Sequence, residues 1–481
     1  MRTLAMLAAA AVCGAGGCTV RVEPAWQAVE GLAAGPLSGT PGEGALVWER
    51  TEADAAEIRR RVGELLCRTG GLTRADAVRI ALLGNPRLQA AFEEVGIAES
   101  DLVQARLFTN PSWDAILRLP LDPGSLETDL LFWLTDLWVV PARAELAERA
   151  RDVTLARTAA AVAGVAAETS IAFDEVLFRT ADRDLAVENL QVLSAAADRI
   201  RVRYQSGLAN DFDVHQADAR AAGQRIELAA ADRELTLART RLDRLMGLAP
   251  EQTGYAVADD LEDSPASRWT AETALAFALE HRLDLTAARQ AVETAARNVE
   301  FQERLIVRRL QVGGGFEGNF RASNPGGPAV AMEIPLFDRN QAQIARAGFR
   351  LRQAQKTLAA MEQEARQEIV SLLADRDLHR THVEVYRGRL AEARRKAVEF
   401  AERFAALMQL NWTFFFEARA AEVHARRGYL RALWGLRAAE ADLHRALWGG
   451  VGRPHIGDLM PINPELTFRP PVTGGRQRGL Q

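Results

Sequence analysis

Few residues in this 481-residue chain have a type and spacing that could do chemistry. His379 and His382 stand three apart, which puts two imidazoles on one helical face and could hold a metal ion. An exposed helical face is the plainer reading, and no metal site is assigned. Asp211 and Asp213 are separated by one residue, and adjacency alone does not make an acid–base pair. Repeated around a rotation axis they would form charged rings, as in cation-selective pores; Asp211 could instead simply cap a helix. There is no nucleophile elbow, no phosphate-binding loop and no His-Glu-x-x-His motif, so no catalytic residue and no cofactor is assigned, and the protein is not read as an enzyme.

The remaining reactive side chains are thiols. Arg2 followed by an apolar run over residues 4–12 has the layout of an export signal. The small residues Ala15-Gly16-Gly17 then lead into Cys18, which is similar to a bacterial lipoprotein signal whose cysteine becomes the lipidated first residue. Ala15 departs from the usual leucine there, and ordinary signal cleavage nearby is the alternative. Thr19 follows Cys18, so the aspartate that commonly retains lipoproteins at the inner membrane is absent. With Cys18 lipidated, Cys67 has no partner and no disulfide framework is expected. Only Lys356 and Lys396 are lysines, the net charge is −5, and no basic stripe is interleaved with aromatics, so nucleic-acid binding is not expected.

The elements that must position these residues are dominated by one long helix, over residues 141–206. It opens at Pro141 and stops at Ser206-Gly207, where glycine supplies a left-handed cap. About 66 residues at ~1.5 Å each reach roughly 100 Å. Arg149, Asp152, Glu168, Asp182 and Glu188 exclude a membrane span. Phe178, Leu185 and Val192 recur at heptad spacing, as in a coiled coil. A second such helix is read over 338–406, with Asp338 as N-cap and Ile344, Leu351, Leu358, Ala365 and Leu372 at seven-residue steps.

Residues 19–70 read as loop followed by a short helix over 52–66. Thr73 caps a helix that runs to about Phe108, with Pro86 as a break or kink. Trp113, Ala115 and Leu117 alternate with Asp114, Ile116 and Arg118, predicting a strand. After a turn at 122–125, a second extended stretch over 127–139 carries Phe132, Trp133 and Trp138. Beyond Gly207 a helix from about 212 runs to Gly247, and a polar connector follows.

The order then repeats. Residues 72–91 align without gaps with 269–288, matching Thr73 with Thr270, Leu82 with Leu279 and Leu88 with Leu285. A helix to about Arg308 is followed by a strand over 310–320, a turn at 324–328 and a strand through Val330, Met332, Ile334 and Leu336. The second long helix, a break near 407–411 and a helix to Gly449 complete the half. Each half therefore reads helix, hairpin, long helix, helix, which is evidence of internal duplication. The two shorter helices of each half sum to about one long helix, so they stack end to end beside it, with hairpins at one end and the 207 and 407 turns at the other.

The strands fit the ~9–11 residues that cross a bilayer, and Trp113, Trp133 and Trp138 are candidate interfacial aromatics. Four strands cannot close a barrel; three copies would supply about 12.

Four segments resemble the TolC-like family of outer-membrane efflux proteins: residues 72–86, 204–214 (Tyr-Gln-Ser-Gly-Leu-Ala-Asn-Asp-Phe-Asp-Val), 334–341 (Ile-Pro-Leu-Phe-Asp-Arg-Asn-Gln) and the repeat endings 242–247 and 443–449. The resemblance implies a mainly α fold with a small β part: a duplicated unit forming a trimeric α-helical barrel and a 12-stranded transmembrane β-barrel. It divides the chain into a signal peptide (1–17), an N-terminal belt segment (18–71), a first repeat (72–247), a connector (248–268), a second repeat (269–449) and a tail (450–481). It implies a lipid-anchored exit channel in the outer membrane, with a long periplasmic part. The implied partners are two further copies of itself, a periplasmic adaptor, an inner-membrane pump and outer-membrane lipid. Gly207, Leu208, Ala209 and Asn210 become adaptor contacts at the tip, with Asp211 and Asp213 as a gate. The second tip has Leu407-Met408 where the first has Gly207-Leu208, and Phe414-Phe415-Phe416 is read as packing. A duct for secreted polypeptides, or a periplasmic coiled-coil scaffold with no pore, are the alternatives.

Overall fold

The computed structural model describes residues 25–37, 46–68, 70–118, 125–261, 269–306, 310–319, 326–407 and 411–449. The signal segment, Cys18 and the tail 450–481 lie outside them, as do the turn at 119–124 and most of the second tip turn.

The elements run α1 (Trp26–Leu37), α2 (Glu52–Leu66), α3 (Arg74–Gly84), α4 (Pro86–Arg106), β1 (Ser112–Arg118), β2 (Ser125–Trp133), α5 (Asp136–Gln205) and α6 (Asp211–Met246), then α7 (Ala271–His281), α8 (Leu283–Arg304), β3 (Leu310–Asn319), β4 (Gly327–Met332), α9 (Gln341–Val385), α10 (Ala391–Ala406) and α11 (Trp412–Trp448). One π-helical turn, Tyr386–Leu390, joins α9 to α10 without ending the rod. Such a turn inserts an extra residue and resets which face points inward. Helix α1 falls in a stretch read from sequence as loop.

Helix α5 is the spine. It packs against α4 and α8 towards one end, α6 and α11 towards the other, and α1 and α3 on its flank. Helix α9 packs on α8 and α11, and α10 on α11. The result is a layer about four helices wide. It runs α4–α5–α8–α9 in the half near the sheet and α6–α5–α11–α10 in the half near the tips. The stacking of short helices expected from their lengths is present: the Asn85 side-chain amide, between α3 and α4, donates to the Leu245 carbonyl at the end of α6 (2.8 Å).

The break expected at Pro86 is present, at Asn85, and it has a counterpart at Arg282 that divides the helix read as continuous in the second half, which ends at Arg304 rather than Arg308. Pro86 is not the common cause, because Leu283 occupies the equivalent place. Both breaks instead receive the C-terminus of the last helix of their repeat. Arg282 donates to the Ala446 carbonyl (3.0 Å) and pairs with Asp284 and Glu368. Gly247 and Gly449 end those helices with φ of 69° and 71°. A Cβ on Gly247 would stand 2.0 Å from the Gly84 carbonyl oxygen, so backbone conformation and close approach both require glycine.

Three further readings are corrected. Helix α5 starts at Asp136, not Pro141, so Trp138 is helical rather than part of a strand. The Asp136 carboxylate, at the positive end of the helix, accepts the Thr109 N–H (2.5 Å), which fixes the start. Asp338 is not the N-cap of α9: that place belongs to Asn340, at φ 64°, and Asp338 accepts its N–H (2.9 Å). Strand β4 stops at Met332, leaving Ile334 and Leu336 in a linker.

The two repeats are tied by a buried polar hub. Arg419 of α11 donates to Asn189 (3.0 Å) and Glu188 (3.0 Å) of α5 and to Glu422 (2.7 Å). Asn189 donates in turn to Gln224 of α6 (2.8 Å). Arg419→Met leaves Glu422 and Asn189 enclosed without their cation. We expect a loss of about 3 kcal/mol, since breaking one partner of a buried pair costs ~3–5 kcal/mol and Glu188 is partly solvated. Thermal unfolding in mild detergent reads this, and an unchanged midpoint would remove the hub's structural role.

Candidate functional site

The tip between α5 and α6 is a tight, fully capped turn. Gly207 adopts φ 74°, its N–H donates to the Tyr204 carbonyl (2.9 Å), and the Leu208 N–H donates to the Arg203 carbonyl (2.8 Å). This paired arrangement satisfies the last carbonyls of α5. The next helix is capped by Asn210, not by Asp211. The Asn210 side chain accepts the Asp213 N–H (2.9 Å), and the Asp213 carboxylate reaches back to the Asn210 N–H. Asp213 is therefore committed to the cap. Asp211, at the first helical position, accepts from the Tyr204 hydroxyl, which holds that phenol above its ordinary range. Leu208 is more than half exposed, and a Cβ on Gly207 would meet nothing within 4 Å. Both face solvent.

The helix ends that flank the second tip pack against the first tip's helices. Trp412, Phe415 and Phe416 are buried with Leu193, Ala197, Ile200, Ala217, Ala401 and Ala405 in one cluster. The aromatic run is thus core as expected, except Phe414, which is exposed. Arg203 of α5 donates to the Ala405 carbonyl at the end of α10 (3.3 Å), and Arg199 pairs with Glu402 (2.8 Å). Thr413 donates to Gln216 (3.0 Å).

At the other end the strands form one antiparallel sheet, in the order β1-β2-β3-β4. Pairing of Trp113 with Leu130, Thr128 with Phe316 and Val312 with Val330 puts these residues on one face with Leu117, Leu126, Phe132 and Met332. No charged residue shares that face among the described residues, and its large side chains are exposed. The other face carries Asp114, Glu127, Asp129 and Gln311, interspersed with Ile116, Leu131 and Trp133. One apolar and one polar face is the pattern of a membrane barrel wall. Trp113 lies on the apolar face, where its indole N–H donates to Thr128 (2.7 Å). Trp133 shares the polar face by register and Trp138 is in α5, so Trp113 is the one of the three on the apolar face of the strands.

Elsewhere the chemistry stays sparse. His379 packs on Gly435 of α11, and burial together with His382 lowers its pKa. No group of three or more His, Cys, Asp or Glu side chains is placed to hold a metal among the described residues. Cys67 is free and exposed. No described helix is long and apolar enough to cross a membrane. One group that sequence reading missed is Asp174 of α5, fully buried between Arg74 of α3 (3.7 Å) and Arg437 of α11 (3.4 Å). Burial raises its pKa against those two cations. Nothing in its local sequence marks it, because its partners come from distant segments.

This fold is shared with several solved outer-membrane channels. The outer-membrane channel OprN superposes with a TM-score of 0.68 at 20% identity, over 79% of this chain and 90% of that one. CusC gives 0.65 at 19% identity, over 80% and 94%. The CmeC outer-membrane channel of Campylobacter jejuni gives 0.67 at 14%, over 85% and 91%. In sequence, the chain is 26% identical to the cobalt-zinc-cadmium resistance protein CzcC of Cupriavidus metallidurans, over 60% of this chain and 68% of that protein. It is 27% identical to the nickel-cobalt-cadmium resistance protein NccC of Alcaligenes xylosoxydans xylosoxydans, over 66% and 75%. No family model matches. The resemblance to the TolC-like outer-membrane efflux proteins thus holds in sequence and in fold.

Proposed function

We propose that this chain is the outer-membrane exit channel of a tripartite efflux system, passing ions or small molecules outward from the periplasm without catalysing a reaction. One observation carries the reading. Among the described residues the sheet has one exposed face without a charged side chain and two unpaired edges, β1 and β4, and the helical layer is open on the same two sides, at α4 and α9. Unpaired strand edges are not tolerated in lipid. A rotation that pairs β1 of one copy with β4 of the next also brings α4 and α6 beside α9 and α10 of that neighbour. Three copies give about 12 strands, enough for a lumen. In this arrangement the carboxylates Asp114, Glu127 and Asp129 line the passage and Asp211 is repeated around its far mouth.

The cargo is proposed to be divalent cations, because the relatives CzcC and NccC are resistance proteins for cobalt, zinc, cadmium and nickel and because the polar face is acidic. A periplasmic adaptor would engage the Gly207–Asn210 turn, an inner-membrane pump would drive transport, and lipid on Cys18 would hold the protein at the membrane.

Planar bilayers test the channel. Purified protein should conduct, with a reversal potential in asymmetric salt that favours cations. Asp211→Asn with Asp213→Asn should move that potential towards zero; identical values would remove the gate assignment, leaving Asp213 as a cap. In cells, deletion should sensitise to cobalt, zinc or cadmium. Loss of a secreted polypeptide without metal sensitivity would assign the chain to protein secretion, and absence of conductance would leave a scaffold.

A further inference from the structure

Two linkers join the edge strands to the edge helices, and both present apolar side chains left exposed among the described residues. Between α4 and β1 stand Leu107 and Phe108, the latter 63% exposed. Between β4 and α9 stand Ile334, Leu336 and Phe337, the last 92% exposed. Neither linker hangs loose. The Thr109 N–H is held by Asp136, and Arg143 donates to the Leu107 carbonyl (2.7 Å). Asn340 donates to the Gln302 carbonyl (2.6 Å), and the Leu336 N–H donates to the Ile334 carbonyl (2.9 Å). The chain is therefore ordered with its apolar groups turned outward, an arrangement that marks a contact surface.

We propose that these linkers clasp each other across the subunit seam, Phe337 of one copy packing on Phe108 of the next. The inference rests on the closed assembly proposed above. The occupant follows from position. Strand β1 leaves its linker at Ser112 and β4 enters its own at Met332, at the same end of the sheet and on its two opposite edges. Pairing those edges between copies brings the linkers together and continues the seam from strands to helices. Their flanking charges are complementary: Arg106 precedes Leu107, and Glu333 precedes Ile334. The clasp stiffens the seam where a strand wall becomes a helical wall, the one level at which neither hydrogen-bonded strands nor packed helices join the copies.

Cross-linking in native membranes tests it. In a Cys67→Ser background, Phe108→Cys combined with Phe337→Cys should give disulfide-linked dimers and trimers on mild oxidation, and each single variant should stay monomeric in denaturing gels. A second reading uses Phe337→Trp with brominated phospholipids: emission should be unquenched. A trimer by native mass with no cross-link and quenched emission places Phe337 in the bilayer surface and overturns the clasp while leaving the channel reading intact. A monomer by native mass overturns the assembly and the clasp with it.

Discussion

Gly207→Trp should abolish export while leaving the amount of assembled protein in the outer membrane unchanged. Gly207 sits at φ 74°, where any side chain carries a backbone penalty of about 1–2 kcal/mol. That cost is local, because the position has open space around it and the turn's other hydrogen bonds come from Leu208, Asn210 and Asp213. The buried cluster around Trp412 and Phe416 lies behind the turn and is untouched. What changes is the outer surface: an indole replaces the bare backbone proposed above as the adaptor's docking surface. Gly207→Ala separates the two effects. It carries the same backbone penalty with almost no bulk, so it should export normally and lose only a little thermal stability. Equal export by wild type and the tryptophan variant would remove this turn from the docking surface. Equal loss in both variants would reduce its role to capping.

Much of this architecture was legible because the determinants are local. Thr73 and Thr270, each accepting an N–H three residues on, start equivalent helices in the two halves, as the alignment of 72–91 with 269–288 expects. Glycine after the last apolar residue ended α5, α6 and α11 where the pattern placed it. Alternation in 113–118 and 310–319 fixed two strands and, through the register, the two faces of the sheet.

The misplacements share one physical origin, competition from partners distant in sequence. Residues 134–140 are rich in Leu, Trp and Val and favour a strand on propensity. They are helical because Asp136 is anchored by Thr109 across the chain reversal. The Arg282 break has no proline to announce it and is created by α11 docking on it. Asn340 takes a left-handed conformation, rare outside glycine, while its side chain bonds to Gln302. At the candidate site, Asn210 and Asp213 form a capping box, so Asp213 serves the helix start and the two acidic residues have separate partners. Trp133 alternated with Phe132 in an apolar run, and only strand pairing showed that it lies with Asp129 and Gln311.

The glycines of β3 give the sharpest test of the sheet as a membrane wall. Gly313 and Gly314 are neighbours on opposite faces and should respond in opposite ways to the same substitution. A Cβ on Gly313 would stand 1.8 Å from the Leu130 carbonyl oxygen and 2.9 Å from the Leu131 Cα. Both are backbone atoms of the paired strand and cannot swing aside. Gly313→Val therefore has to part β2 from β3, exposing backbone groups that in lipid have no water to bond and cost several kcal/mol each. Assembled protein in the outer-membrane fraction should fall to a small remnant. A Cβ on Gly314 meets only the Gly327 carbonyl, at an ordinary 3.7 Å, and points to the apolar face. Gly314→Val adds a β-branched apolar side chain where lipid would receive it, so assembly should stay at the wild-type level. The measurement is the heat-resistant oligomer in membranes of the two variants, at matched expression. Loss of assembly in the Gly314 variant would mean that the apolar face is packed against protein rather than lipid. Normal assembly in the Gly313 variant would mean that the β2–β3 pairing is not what holds the wall together.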